Sequence, residues 1–325
     1  MTEQQPAVKR RGLGDWIRIG FLLAVLVFGV VFVASRWDEL RTALGDMSWG
    51  LVIASVVPAA IGTLLNVLAW RAMLVDLGGE LSVREAGRVF LVGQLGKYLP
   101  GSVWSFLAQA ELAKDHAVSR KTTFTGSMLG VALSLGTAAL AAFLLLPFGA
   151  ADAIRQYWWV VLLIPVCVVL LHPRIVGPII DRALRLIRRQ PLEQRPTYRG
   201  MLTAAGWYAL GWVFLGLHAW LLMVAIGAPA GRSLPVAIGG LALAFALGLI
   251  FIPAPAGAGV REVAIVLAFG AVLGSSAALA VALISRIMLT VLDFVLAGAA
   301  WQASRADRSP RGVPVAPASV DIEGK

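Results

Sequence analysis

The sequence predicts an all-α polytopic membrane protein with six full crossings and two re-entrant broken hairpins arranged as an inverted repeat. Three observations predict it. Hydrophobic residues make up 59% of the 325 and charged residues 14%, against roughly 45–50% and roughly 25% in a soluble domain. The apolar residues fall into long runs bounded by charged residues or Trp. The basic residues gather in a few places, which sorts the connecting segments onto two sides of a bilayer.

A helix needs about 20 mostly apolar residues to cross the hydrocarbon core. Six runs qualify: residues 17–35, 49–70, 122–147, 157–171, 200–226 and 275–302. The first follows Lys9, Arg10 and Arg11, as a signal peptide would. It is about 18 residues long without a small-x-small exit, so it reads as a retained helix. The chain thus divides into a tail (1–15), a membrane domain (16–303) and a disordered tail (304–325). Cys167, the single cysteine, lies inside the fourth run as a small buried residue and excludes an intrachain disulfide. Trp16, Trp37, Trp49, Trp158, Trp159 and Trp301 fall near span ends, as interfacial anchors do.

The formal net charge of +10 fits Lys and Arg on cytoplasmic loops of an inner-membrane protein, and no nucleic-acid partner is expected. Lys9, Arg10, Arg11 and Arg18 place the N-terminus in the cytoplasm. The loop 172–199, with seven Arg against Asp181 and Glu193, belongs there too, as does the tail with Arg305, Arg308 and Arg311. Within the loop, Ile175, Val176, Ile179, Ile180, Ala183 and Ile187 recur at helical spacing opposite a basic face. That is the pattern of an amphipathic helix on an anionic leaflet. The links near Asp152 and Arg232 are poor in Lys and Arg and belong outside.

Two stretches remain. Residues 82–116 form two arms of about ten to fourteen residues around Pro100-Gly101, too short to cross. Basic residues at both ends send this hairpin in from the cytoplasm and back. Residues 234–274 break at Pro253-Ala254-Pro255-Ala256-Gly257-Ala258-Gly259 and should dip in from outside. Each hairpin with its flanking crossings is then the inversion of the other. Broken helices meeting near the midplane are a transporter architecture, because exposed backbone groups are tolerated only where they are buried in protein or line a wet cavity.

An ionisable side chain at the centre of a span costs about 2.5–3.5 kcal/mol on insertion scales, so the few that remain are candidate site residues. Lys97 stands beside the first break, Arg261 and Glu262 follow the second, and Arg286 and Asp293 share one face of the last crossing, two turns apart. Pro100 ends the first arm and Gly101 opens the second, which presents free N–H groups and a positive dipole end. Gly257 and Gly259, after Pro255, prepare a second such terminus. Trp104, just past the first break, is a candidate cavity residue. The ensemble suits a phosphate or other anion. Structural pairing of Arg286 with Asp293 or Glu262 is the alternative for those residues, whereas no acidic residue lies near Lys97 in sequence.

Asn66 is expected to bond across helices and His218 to be a hydrogen-bonded interior histidine. Gly126-x-x-x-Gly130 marks close helix packing. The three histidines form no His-x-x-x-His pair, and there is no Cys cluster, Walker loop or G-x-S-x-G elbow. Neither a metal nor a cofactor is expected, and the chain is not expected to be an enzyme.

Gly96-Lys97-Tyr98-Leu99-Pro100-Gly101 followed by a mixed polar helix, together with Pro255-Ala256-Gly257-Ala258-Gly259-Val260-Arg261-Glu262, resembles the membrane region of lysylphosphatidylglycerol synthases and its stand-alone relatives. Asn66 with Arg71, and Arg286, also fit. Ala254 and Ala256 depart from glycines common in the second motif. The resemblance implies a flippase-like translocator of an anionic phospholipid or a polyprenyl-phosphate-linked carrier. It also leaves room for a membrane subunit that positions a separate glycosyltransferase or lipid synthase. A third alternative, an intramembrane transferase, would use Glu262 or Asp293 as a base.

Overall fold

The computed structural model describes residues 37–45, 47–99, 103–148, 194–251 and 255–307, and the single positions 34, 178 and 182. The expected crossings at 17–35 and 157–171, Cys167, Asp152, Pro100, Gly101 and nearly all of the amphipathic segment lie outside the described residues. The described helices are α1 (Trp37–Gly45), α2 (Trp49–Ala54), α3 (Val56–Asp76), α4 (Val83–Gln94), α5 (Trp104–Ala113) and α6 (Arg120–Leu145). They continue with α7 (Tyr198–Ala225), α8 (Ala230–Ile250), α9 (Val260–Leu273) and α10 (Ser275–Asp307). Among the described residues five stretches are long and apolar enough to cross a membrane: Trp49–Asp76, Arg120–Phe148, Tyr198–Ala225, Ala230–Ile250 and Ser275–Ala303. The chain is an all-α, multi-pass membrane protein.

The fourth of these, Ala230–Ile250, is not among the six expected crossings. The first arm of the second hairpin, expected from sequence to dip in from outside, is the 21-residue α8. It starts at Ala230 because Pro229 sits at its N-cap, and Pro235 is accommodated early in the helix, where its missing N–H removes only one intrahelical bond. The arms of the first hairpin are short, as expected: 12 residues in α4 and 10 in α5.

The helix α7 packs along α3 and also meets α8 and α6. Small residues make these approaches possible where no water-driven hydrophobic force operates between helices. A Cβ on Gly62 would lie 2.8 Å from Leu215 Cγ, and one on Gly216 2.5 Å from Ile238 Cα. The Gly126 and Gly130 pair serves two neighbours, Leu74 and the Tyr208 hydroxyl. Trp70, fully buried, donates to Ser127 Oγ at 2.9 Å, and Ser127 donates to Gln109 Oε1 at 2.7 Å. The buried indole N–H and the Ser127 hydroxyl are thus both satisfied, as burial requires.

Two contacts anchor the first hairpin. The Ser82 N-cap and Glu85 form a capping box, with Ser82 N–H donating to Glu85 Oε2 at 2.8 Å. The Ser82 hydroxyl and N–H, with His116 alongside, hold the Glu85 carboxyl below its ordinary range. From α3, Arg71 Nε donates to Leu81 O at 2.6 Å. The base of this hairpin lies against the far end of α10, where Arg84 Nη2 donates to Ala303 O at 3.1 Å and Arg88 sits 5.2 Å from the Trp301 ring. The base of the second hairpin lies at the other end of the same helix, since α9 leads through Gly274 into Ser275.

Candidate functional site

A 3₁₀ turn adjoins the break in each hairpin. The first arm ends when α4 tightens into a 3₁₀ turn over Leu95–Tyr98. That turn lies so close to the second arm that a Cβ on Gly96 would stand 2.6 Å from Ser105 N. The second break is a 3₁₀ turn over Pro255–Gly257, with Ala256 at φ 48°, Gly257 at φ 69° and Gly259 at φ 84°. Glycine tolerates such angles freely. At Ala256 the left-handed backbone costs roughly 1–2 kcal/mol. The two 3₁₀ turns touch, which brings together residues far apart in sequence.

At that meeting point lies a cavity of about 250 Å³. Its lining includes Lys97, Arg261, Arg286 and Asp293 from the residues singled out by sequence, with Gly257 at the second break. Lys97 has an acidic neighbour after all: its Nζ lies 2.6 Å from Asp293 Oδ2. Tyr98 donates its hydroxyl to the same oxygen at 2.6 Å and stacks on Phe294. Arg286 pairs with Glu262 at 3.2 Å and not with Asp293, and its Nη1 also donates to Ala256 O at 2.9 Å. Positions 286 and 293 do share a face of α10, but each serves a different hairpin.

Glu262 is a structural group as well as a partner. Its Oε2 accepts the Gly259 N–H at 2.6 Å and caps α9. This helix start, expected to offer free N–H groups to an anion, therefore meets a carboxylate of its own. Trp104 does not line the cavity; it is 46% exposed, with its backbone pressed under Gly96. Gly259, at the N-cap of α9, shapes the second break without lining the cavity.

Arg261 is 8% exposed, its guanidinium carbon stands 3.3 Å from the centre of the Phe245 ring, and its Nη2 has no hydrogen-bond partner among the described residues. The face of an aromatic ring attracts a cation but does not neutralise it. Sequence reasoning missed several uncharged lining residues, among them Tyr98, Asn66, Gln94, Gln109 and Phe245. Asn66 was marked as a cross-helix polar group, and Gly211 of α7 leaves room for its carboxamide. His218 is fully buried, with Nδ1 3.1 Å from Ser55 Oγ and Nε2 3.1 Å from Ser285 Oγ. It is an interior hydrogen-bonded histidine, as expected.

A family model, lysylphosphatidylglycerol synthase TM region, matches residues 17–297, most of the chain. No curated protein and no solved structure gives a significant match.

Proposed function

We propose, for a chain that belongs to the lysylphosphatidylglycerol synthase transmembrane-region family, that the cavity between the two breaks carries the headgroup of an anionic lipid across the bilayer. Membership makes the protein a flippase-like lipid translocator and not a catalytic domain. The cargo and its path are the proposal. The observation that carries it is the convergence of Lys97, Arg261 and Arg286 on one cavity in a bundle whose outer faces are apolar. Acyl or prenyl chains would stay in the lipid while the headgroup moves through the interior. The two acids that an intramembrane transferase would use as bases, Glu262 and Asp293, are both engaged in ion pairs. A separate synthase or glycosyltransferase is proposed as the source of the cargo.

The inverted-repeat scheme is part of this reading. It is supported by the two hairpin bases, which adjoin opposite ends of α10, and by the touching breaks. The N- and C-termini, with the first hairpin base, would face the cytoplasm. In a Cys167→Ala background, Glu80→Cys should label only after permeabilisation and Arg232→Cys from outside. Labelling of both from one side would overturn the scheme.

Function is tested with purified protein in phosphatidylcholine vesicles containing a trace of fluorescent phosphatidylglycerol, with dithionite reporting the accessible leaflet. Label should cross faster than in protein-free vesicles. Arg261→Gln should slow it by about tenfold or more, since a charge-assisted contact is worth roughly 1.5–3 kcal/mol. Crossing no faster than in protein-free vesicles would refute an anionic-lipid translocator.

A further inference from the structure

The charges around the cavity do not balance. Lys97, Arg261 and Arg286 are three cations, and Asp293 and Glu262 are two carboxylates. Both carboxylates are taken: Asp293 by Lys97 at 2.6 Å and Glu262 by Arg286 at 3.2 Å. Each is further committed, Asp293 to the Tyr98 hydroxyl and Glu262 to the Gly259 N–H. What remains is Arg261, more than nine-tenths buried, lining the cavity, with Nη2 unpartnered among the described residues. Buried charges in proteins are paired, because water has been removed from them and nothing else compensates. A cavity-lining arginine with a buried, unpartnered guanidinium nitrogen therefore points to an anion that arrives with the cargo, and its planar N–H groups match phosphate oxygens.

The surplus also sets the size of that charge. Resting on the lipid-translocating reading above, we propose that the site takes a headgroup with a single negative charge, a phosphodiester seated on Arg261, and discriminates against phosphomonoester headgroups. One negative charge neutralises the cavity. A monoester, with a second pKa of about 6, carries close to two at neutral pH and above. The second charge would have to be met by opening one of the two ion pairs, each of which ties a hairpin to α10.

Binding in detergent tests this separately from transport. Thermal stabilisation by dihexanoyl phosphatidylglycerol and by dihexanoyl phosphatidic acid would be titrated at about pH 8, where the monoester is doubly charged. The diester should bind about tenfold tighter, a single step on the affinity scale. Glycerophosphoglycerol, which has the diester without tails, should bind at least about tenfold more weakly than the lipid. Arg261→Gln should lose the preference for the diester and Arg261→Lys should keep part of it. If Arg261→Gln does not fold, the wild-type comparison decides alone. Equal or tighter binding of phosphatidic acid, or undiminished diester affinity in Arg261→Gln, overturns the assignment, and equal binding of the tail-free diester overturns its lipid part. Selective binding without movement of label in vesicles would leave the single-charge site standing and remove the translocator reading instead.

Discussion

Lys97→Ala is expected to lower thermal stability in detergent, and Asp293→Leu added to it is expected to restore much of the loss. Removing the lysine leaves the Asp293 carboxylate, 14% exposed, with the Tyr98 hydroxyl as its remaining partner here. Breaking a fully buried pair costs about 3–5 kcal/mol. Because the Lys97 side chain is 33% exposed, about 1–3 kcal/mol is the expected range. Replacing both partners by apolar groups removes the uncompensated charge, so Lys97→Met/Asp293→Leu should approach the wild-type midpoint. A second cycle on Glu262 and Arg286 should show the same coupling, reduced because Glu262 also caps α9 and Arg286 also holds Ala256 O. Additive effects in both cycles would mean that neither pair holds a hairpin.

Gly257→Ala is expected to have an effect at least as large. The residue sits at φ 69°, and an added Cβ would stand 2.7 Å from Gly248 Cα and 2.9 Å from its carbonyl oxygen. The left-handed angle alone costs roughly 1–2 kcal/mol for a residue with a Cβ. Overpacking against backbone that has no rotamer to change adds about 1–3 kcal/mol. Gly96→Ala should behave similarly for steric reasons only, since its Cβ would meet Ser105 N at 2.6 Å. The control is Gly298→Ala on α10, where nothing lies within 4 Å. It should be neutral, or stabilising by up to about 1 kcal/mol through helix propensity. Thermal unfolding of all three in one detergent distinguishes a close approach of the breaks from a general intolerance of substitution. Gly257→Ala melting with the wild type would contradict the geometry of the second break.

Much of the architecture was legible because membrane burial leaves few explanations for a charge or for a break in an apolar run. Lys97, Arg261, Arg286 and Asp293 stood out by that reasoning, and all four line the cavity. Their pairing was not legible. Lys97 finds its carboxylate on the last helix, and Arg286 finds its own on α9; both depend on how the hairpins enter the bundle. Helical periodicity put Arg286 and Asp293 on one face but could not say that the face is shared by two clients. Trp104 was misjudged because adjacency to a break says nothing about direction: Gly96 brings the backbone of that turn inward and leaves the indole outside. Tyr98, Gln109 and Asn66 were hard to pick as cavity residues, since a neutral polar side chain carries little insertion cost and does not stand out among apolar neighbours. The break at 253–259 set the second stretch apart as a hairpin, and hydropathy on its own side of that break is what makes α8 long enough to cross.

The dependence of both breaks on α10 has a consequence for how the protein is made. Tyr98 and the carboxylate it binds are separated by 195 residues. At a synthesis rate of about 5–20 residues per second, the first hairpin exists for roughly ten to forty seconds before Asp293 is made. During that interval Lys97 has no Asp293, and the Glu262 carboxylate, already capping α9, then waits more briefly for Arg286. Completion of α10 gives Lys97 and Glu262 their ion-pair partners in close succession. Nascent chains arrested before Arg286 should hold both breaks in a state open to water, and chains arrested between Arg286 and Asp293 should have closed only the second.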